Sequence, residues 1–526
     1  MPKTVNGAGL TPLAACVCGF ALWMVGTNLV ANPSYNPLAP YHAAFLVGGF
    51  LLGRRAGAGG APLLFRTALA FGLILAAWAM WQQTAQHEAR AHGLLETPAT
   101  LASTINLLLA PGLVLVALGS RRRLLIAVLI VLSGALAAAQ SRGGWLALLA
   151  VGLIAFAFIR RTEFRVDAKA AAIVVGILAL GWAGSWIASL GWDSAGPQHS
   201  MISAEAALSS VARLDLYELA LKAIAASPWL LGSGYHAFHY LLEPARPTMP
   251  AFSETTTYFV HNDYLQTLLE LGVPGLAGLL LIVFLPLSQA WRAIPRLAGM
   301  RNEQVVLIAS ITAVGSMAIH ALVDFPFYIP VCVLLYGAAI GLLDAILLRA
   351  ACVRPLQLPT FANATLQRAA VAAMGTIAAC IFAIPVAAEA ASAYAEHQWR
   401  AARVESAAVW FEAARRLDPK DWRYHWYAGQ FWLSQAQISG KAAAARLADA
   451  SFAAGYAANP REPRNLFGRI VTHRRLRTLL AAPADPATLR AWADRALELA
   501  PLDAEVRAER ARLLAQFPPP ATQGSK

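Results

Sequence analysis

Long apolar runs recur from the N-terminus to residue 391 and constrain the fold more than any other feature of the sequence. A helix needs about 20 apolar residues to cross the hydrocarbon core of a bilayer. Eleven runs approach this length and are predicted to span the membrane: 10–31, 37–53, 62–82, 99–119, 123–140, 143–159, 170–191, 264–290, 303–323, 327–348 and 369–391. The sequence therefore predicts an all-α, polytopic membrane helix bundle.

The composition agrees with this class of protein. Hydrophobic residues make up 58% of the chain and charged residues only 13%, whereas a soluble domain carries roughly 25% charge. A soluble globular enzyme and a disordered chain are therefore excluded. The net charge of +13 is better explained by cytoplasmic loops rich in Lys and Arg than by nucleic-acid binding. The five cysteines show no zinc-ligand spacing, so we expect no metal site.

The basic residues predict how the spans are oriented. If eleven spans alternate, the basic clusters fall on one side, which the positive-inside rule makes cytoplasmic. These residues are Lys3, Arg54, Arg55, Arg121, Arg122, Arg123, Arg160, Arg161, Arg292, Arg296, Arg301, Arg349 and Arg354. The junction before Arg142, the long loop 192–263 and everything after residue 391 then lie outside. We expect an inner-membrane protein of a bacterium, with these outer segments in the periplasm.

Two domains and a short tail are predicted along the chain. Residues 1–391 form the transmembrane domain, with the periplasmic loop 192–263, of which residues 203–226 are predicted to be helical. In residues 392–516, the helix-ending Pro419, Pro460 and Pro501 are separated by 41 residues each time. Equal spacing indicates stacked helical hairpins, so this part is predicted to be a periplasmic, TPR-like helical-repeat domain. We expect it to recruit or position an acceptor or to contact anionic head groups, or else to act only as a lid that stabilises the loop; residues 517–526 should be disordered.

Two arginines on the outer side, Arg142 and Arg213, are candidates for binding an anion. Each has an ordinary explanation when taken alone, as an interfacial arginine or as a solvated charge on a helix. Together they would suit a diphosphate, because guanidinium groups bind phosphate oxygens in a bidentate manner and stay charged.

Ionisable residues near the outer ends of two spans are the candidates for proton transfer. His261 precedes a helix that enters the membrane and is predicted to break near Gly272–Gly275, and imidazole suits proton transfer near neutral pH. Other histidines of the loop compete for this role; they are His199, His236 and His239. His320 and Asp324 are either functional or a structural pair that fixes a helix hairpin.

The order of these motifs resembles the O-antigen ligase superfamily over roughly residues 60–350. The motifs are Ser141-Arg142-Gly143, then Arg213 with Pro228 to Gly234, then the block from His261-Asn262-Asp263 through Glu270 to Gly275, then His320 to Asp324. That superfamily includes lipopolysaccharide O-antigen ligases, bacterial protein O-oligosaccharyltransferases and O-antigen polymerases. Its members are GT-C-like membrane glycosyltransferases that need no metal.

The resemblance implies a reaction and a role for each candidate. A glycan would move en bloc, with inversion and without a cofactor, from undecaprenyl diphosphate to a hydroxyl of lipid A-core or of a protein Ser/Thr. Arg142 and Arg213 would bind the diphosphate, and His261 would be the base. Supporting residues would be Asn262, Asp263, Glu270, His320 and Asp324. The expected partners are the donor, the acceptor and membrane lipids. An O-antigen polymerase or a lipid-linked glycan transporter are the alternatives.

Overall fold

The computed structural model describes residues 10–30, 36–88, 90–120, 122–189, 204–254, 256–356 and 383–518. The chain divides into two compact units. The first comprises Met1–Val25, Tyr41–Ala225 and Phe259–Thr360, and the second comprises Gly26–Pro40, Ala226–Tyr258 and Phe361–Lys526. The second half of the long loop, 226–258, thus belongs to the same unit as the C-terminal helices.

Long apolar helices form the membrane part of the chain, because a helix satisfies its own backbone hydrogen bonds in lipid. In chain order the helices up to residue 349 are α1 (Pro12–Val30), α2 (Leu38–Ala85), α3 (Pro98–Ala117), α4 (Arg123–Ala138), α5 (Arg142–Ile159), α6 (Ala168–Ala188), α7 (Ala204–Ala226), α8 (Phe238–Ala245), α9 (Asp263–Ala293), α10 (Arg301–His320) and α11 (Pro330–Arg349). Helix α3 is buried along most of its length and packs against α4, α5 and α10.

Helix α2 is interrupted by a glycine that separates two predicted spans. Its 48 residues contain Gly57 with φ +52°, a conformation that glycine adopts without steric cost. An unbroken helix of this length would extend about 72 Å, more than twice the thickness of a hydrocarbon core. The predicted spans 37–53 and 62–82 are therefore two arms on either side of Gly57.

Glycines bring the first arm of α2 into close contact with α11. A Cβ atom added at Gly53 would overlap the backbone of Ala338, and one added at Gly341 would overlap the backbone of Phe50. Both helices carry a pair of glycines four residues apart: Gly49 and Gly53 on α2, Gly337 and Gly341 on α11. Small residues at this spacing let two helix backbones approach each other in a membrane.

The predicted helical membrane architecture is confirmed. Eight helices among the described residues are long and apolar enough to cross a membrane, and α4 is a shorter apolar helix. The described residues contain no β-strand. Helix α7 confirms the helix predicted over 203–226, and Gly272, with φ +69°, interrupts α9 where a break was predicted. The total of eleven spans stays a prediction, because residues 369–382 of the last one lie outside the described part.

Helices stacked in sequence order form the second unit. After helical residues 383–400 follow α12 (Val404–Leu417), α13 (Trp422–Ser439), α14 (Ala442–Ala458), α15 (Pro463–Arg475), α16 (Pro486–Leu499) and α17 (Ala504–Gln516). Each packs against the next through buried apolar side chains. Helices α12, α14 and α16 end just before the three equally spaced prolines. That these helices form a TPR-like domain stays a prediction, and residues 519–526 of the tail lie outside the described part.

Candidate functional site

The start of α9 fixes the position of His261. The side chain of Asn262 accepts hydrogen bonds from the backbone N–H groups of Tyr264 and Leu265, both at 3.1 Å. This is an N-terminal cap, which satisfies N–H groups that lack a partner within the helix. Helix α9 therefore begins directly after this cap. Asn262 has a structural role, because it holds His261 next to the start of the helix.

The backbone of His261 is held in an uncommon conformation. Its φ of +59° lies in the left-handed region, which few residues other than glycine adopt and which is found preferentially at functional sites. The carbonyl of His261 accepts a hydrogen bond of 2.9 Å from the hydroxyl of Tyr217 on α7. Residues from α7 thus reach the residue that precedes α9.

A buried carboxylate joins two histidines. Oδ1 of Asp324 lies 3.3 Å from Nδ1 of His261, and its Oδ2 lies 3.5 Å from Nε2 of His320. Burial opposes ionisation of Asp324, but the hydrogen bonds and charges of the two histidines outweigh it and lower the pKa of Asp324. A carboxylate at Nδ1 favours the imidazole tautomer with its proton on Nδ1 and its lone pair on Nε2.

Asp263 ties the first turn of α9 to the segment between α10 and α11. Its carboxylate accepts a hydrogen bond of 2.8 Å from the N–H of Phe327, and its own N–H donates to the carbonyl of Ala321 at 2.9 Å. This second contact lies three residues before Asp324. Asp263 therefore fixes the position of Asp324 relative to His261.

Glu270 forms a further brace within the bundle. It is fully buried and accepts hydrogen bonds from the side chain of Gln266 and from the hydroxyl of Tyr328, at 3.1 and 2.7 Å. Gln266 in turn accepts a hydrogen bond from the N–H of Val260, directly before His261. Glu270 thus holds in place the chain on both sides of the His261–Asp324 pair.

Arg142 is the first residue of α5. Ser141 caps this helix by accepting a hydrogen bond from the N–H of Gly144, and Asn106 on α3 donates a hydrogen bond of 2.7 Å to the carbonyl of Gly144. A Cβ atom added at Gly143 would lie 2.9 Å from Val323 and 3.6 Å from Nε2 of His320. The first turn of α5, which carries Arg142, therefore lies beside the histidine–aspartate group.

A third arginine, which the sequence analysis missed, belongs to the same group. Arg90 lies in the segment between α2 and α3. Its pKa is lowered, first by burial and then by the positive charges of Arg213 and Arg142, while the charge of Asp324 opposes the shift. The charges of Arg90, Arg142, Arg213 and Asp324 therefore act on one another, although the four residues come from four separate segments of the chain.

The other histidines considered for the site belong to the second unit or fall outside the described residues. His236 and His239 belong to the second unit, where His239 stacks on Tyr258 with ring centroids 4.3 Å apart and lies 3.7 Å from Glu243. His199 lies outside the described residues. Among the residues that the structure describes, no group of three or more His, Cys, Asp or Glu side chains could hold a metal ion.

The apolar helices define an integral membrane protein, in which arginines interact electrostatically with a histidine–aspartate pair. Residues 126–280 match the family model described as O-antigen ligase. The resemblance to that superfamily is therefore confirmed for this part of the chain, and it indicates a ligase- or polymerase-type glycosyltransferase. Six of the candidates fall within the match: Arg142, Arg213, His261, Asn262, Asp263 and Glu270. No match to a curated protein accompanies it.

Proposed function

We propose that the protein is an inverting, metal-independent glycosyltransferase with a GT-C-like membrane domain. It moves a glycan en bloc from undecaprenyl diphosphate to a hydroxyl of lipid A-core or of a protein Ser/Thr. One observation carries the proposal: the first turn of α5, which begins with Arg142, lies beside the group formed by His261, Asp324 and His320, and the charges of Arg90 and Arg213 act on the same group, within and next to the stretch that matches the O-antigen ligase family.

The arginines are suited to bind the diphosphate of the donor. Guanidinium groups donate paired hydrogen bonds to phosphate oxygens and keep their charge at any relevant pH. As the bond between the anomeric carbon and the phosphate oxygen breaks, negative charge develops on the departing undecaprenyl diphosphate. Fixed positive charges at that position stabilise the transition state more than the ground state.

His261 is suited to accept the proton of the acceptor. The hydroxyl oxygen attacks the anomeric carbon from the face opposite the diphosphate, and its proton passes to Nε2 of His261 while the leaving group takes the bonding electron pair. Asp324 is a positioning residue for His261. It contacts the Nδ1 atom of that imidazole and favours the tautomer in which Nε2 of His261 can accept a proton. One displacement inverts the anomeric configuration.

The positive-inside pattern supports a bacterial inner-membrane location with the site on the periplasmic face. There the protein would act in lipopolysaccharide biosynthesis or in protein glycosylation. The same donor site would also serve an O-antigen polymerase, whose acceptor is another lipid-linked glycan. A transporter is the weaker alternative, because the charged groups cluster at one end of α5, α9 and α10 instead of near the membrane midplane.

Reconstitution of the purified full-length protein tests the proposal. The protein is supplied with an undecaprenyl diphosphate-linked glycan and, separately, with lipid A-core, an acceptor protein or a second lipid-linked glycan. We expect transfer to one of the first two. Extension of the lipid-linked glycan would support the polymerase instead. His261→Ala should abolish transfer, whereas His397→Ala, an exposed histidine of the second unit, should not. Transfer at the wild-type rate by His261→Ala would refute the assigned base.

A further inference from the structure

A large cavity lies among the helices of the first unit. Its volume is about 910 Å³, near the upper limit for ligand pockets. The second arm of α2, the later part of α3, the beginning of α4, residues 302–313 of α10 and the middle of α11 form its walls. Asn302, in the polar part of the lining, lies 18 residues before His320 on α10, which corresponds to about 27 Å along the helix.

The walls of the cavity are apolar along most of their length. Leucine, valine, alanine and phenylalanine side chains predominate, and on α2 the lining runs from Ala58 to Leu73, which corresponds to about 22 Å along the helix. Apart from the shorter apolar helix α4, these walls belong to helices that are apolar and long enough to cross a membrane. A ligand of this cavity therefore comes from the bilayer and carries a long hydrocarbon chain.

The polar lining of the cavity is basic. Arg66 on α2 and Arg122 at the start of α4 line it together with Ser120 and Asn302, and no acidic residue is among the described residues of the lining. Both arginines are exposed, and neither pairs with a carboxylate in the part of the chain that the structure describes. Basic pockets between membrane helices bind the phosphate of anionic lipids.

We propose that this cavity binds an anionic phospholipid of the leaflet opposite the site. Its phosphate contacts Arg66 and Arg122, and its acyl chains follow the apolar wall of α2. The diphosphate of the proposed donor would not contact Arg66 and Arg122, because it belongs at the arginines near His320, which lies about 27 Å along α10 from Asn302 in the polar lining. The lipid would brace α2, α3, α4, α10 and α11 against one another, because a ligand that binds only the folded state stabilises it.

Lipid titration of the full-length protein in an uncharged detergent tests the proposal. The probes are dioleoyl phosphatidylglycerol and dioleoyl phosphatidylcholine, which share their acyl chains and differ in head-group charge. Native mass spectrometry measures the bound lipid, and the melting temperature measures the stabilisation. We expect the wild-type protein to bind phosphatidylglycerol about tenfold more tightly. Equal binding of the two lipids would overturn the proposal.

Two kinds of variant test separately the contacts of the lipid head group and those of its acyl chains. The double variant Arg66→Gln/Arg122→Gln should lose the preference for phosphatidylglycerol, whereas Arg123→Gln, the neighbouring arginine outside the lining, should keep it. Ala309→Phe, which fills the cavity, should weaken binding of both lipids. A preference that survives in the double variant contradicts the assigned contacts.

Competition with undecaprenyl phosphate identifies the class of lipid. Displacement of bound phosphatidylglycerol by undecaprenyl phosphate at a lower concentration would assign the cavity to a polyprenyl chain and would refute a phospholipid site. Resistance to displacement supports the phospholipid. This result does not depend on the proposed reaction, because each outcome is measured without donor or acceptor.

Discussion

His261 is constrained on three sides: its carbonyl is bound by Tyr217, its imidazole contacts Asp324, and the cap at Asn262 fixes the next residue. Such constraints hold a residue in a left-handed conformation that costs free energy by itself. A base that must meet an acceptor hydroxyl gains from this rigidity, because proton transfer depends on position before it depends on pKa.

Asp324→Asn tests the positioning role. The amide keeps the shape of the side chain but removes its charge and can present an N–H to Nδ1, so His261 loses its favoured tautomer. We expect kcat to fall about 100-fold or more, with little change in KM for the donor. Steady-state kinetics of transfer measure both values. A raised KM with an unchanged kcat would show that Asp324 serves donor binding instead.

The lowered pKa of Asp324 also predicts how the stability of the folded protein depends on pH, and the same variant tests it. The two histidines lower the pKa of Asp324 in the folded state despite its burial. A carboxyl group whose pKa is lower in the folded state than in the unfolded state stabilises the protein at any pH above its unfolded-state pKa. This stabilisation is lost as the pH falls from there through the folded-state pKa. Asp324→Asn should therefore lower the melting temperature near neutral pH, and the difference from wild type should narrow below about pH 4. A difference that stays constant with pH would exclude this linkage.

Arg90 is predicted to bind the donor with Arg142 and Arg213. Arg90→Gln should raise KM for the donor about 10- to 100-fold, because a charged hydrogen bond contributes about 1.5–3 kcal/mol. Arg160→Gln, at the opposite end of the helix that begins with Arg142, is the matched control and should leave KM unchanged. Competition by undecaprenyl diphosphate provides a second measurement, and equal inhibition constants for Arg90→Gln and wild type would remove Arg90 from the site.

The sequence indicated some of these residues but not how they are grouped. His261, Arg142 and Arg213 belong to motifs that resemble a family. Arg90 belongs to no motif and lies in a connecting segment, so only the structure shows that it interacts with Arg142 and Arg213. The contact between His261 and Asp324 joins residues 63 positions apart, and periodicity carries no information about pairing at that distance.

At the scale of helices, the apolar pattern predicted where helices form better than it predicted which of their side chains are buried. The apolar residues Val211, Leu214 and Leu221 recur at helical spacing in α7, yet their side chains are 55%, 63% and 53% exposed. Leu216 and Ala220 are buried instead. Lipid and protein interior both favour apolar side chains, so a hydrophobic stripe in a membrane protein does not reveal which of the two it contacts.

Gly53→Ala is predicted to separate α2 from α11. A methyl group at this position overlaps the backbone of Ala338, which moves only if the whole helix moves. We expect a destabilisation of about 1–3 kcal/mol, measured as a lower melting temperature in detergent. Gly48→Ala is the matched control, since its added methyl group meets open space on the same helix. Equal melting temperatures for the two variants would show that this close approach contributes nothing to stability.

At the scale of the molecule, part of the long loop belongs to the C-terminal unit. Tyr240 on α8 forms hydrogen bonds with the side chains of Asn459 and Trp422, and burial raises its pKa above the ordinary value. Arg461 donates a hydrogen bond of 3.3 Å to the carbonyl of Ser233. The equal proline spacing predicted where the helices end, but it could not predict these contacts, because they join segments about 220 residues apart.

These contacts allow two separate hypotheses for the C-terminal helices, recruitment of an acceptor and support of the loop. We predict recruitment, because stacked helical hairpins present an extended concave surface to a partner. Truncation after Ser392 should lower transfer to the natural acceptor at least about tenfold, by loss of effective concentration. It should spare hydrolysis of the donor and transfer to a small acceptor. Assays of all three activities on the purified truncated protein measure this.

Tyr240→Phe distinguishes the two roles, because it removes the hydroxyl that holds α8 to the C-terminal helices and leaves their outer surface intact. Recruitment predicts that this variant transfers glycan to the natural acceptor at the wild-type rate. Support of the loop predicts that it loses transfer and donor hydrolysis together and melts at a lower temperature. If Tyr240→Phe and the truncated protein both lose the two activities in parallel, the C-terminal helices act by holding the loop, and the recruitment role is wrong.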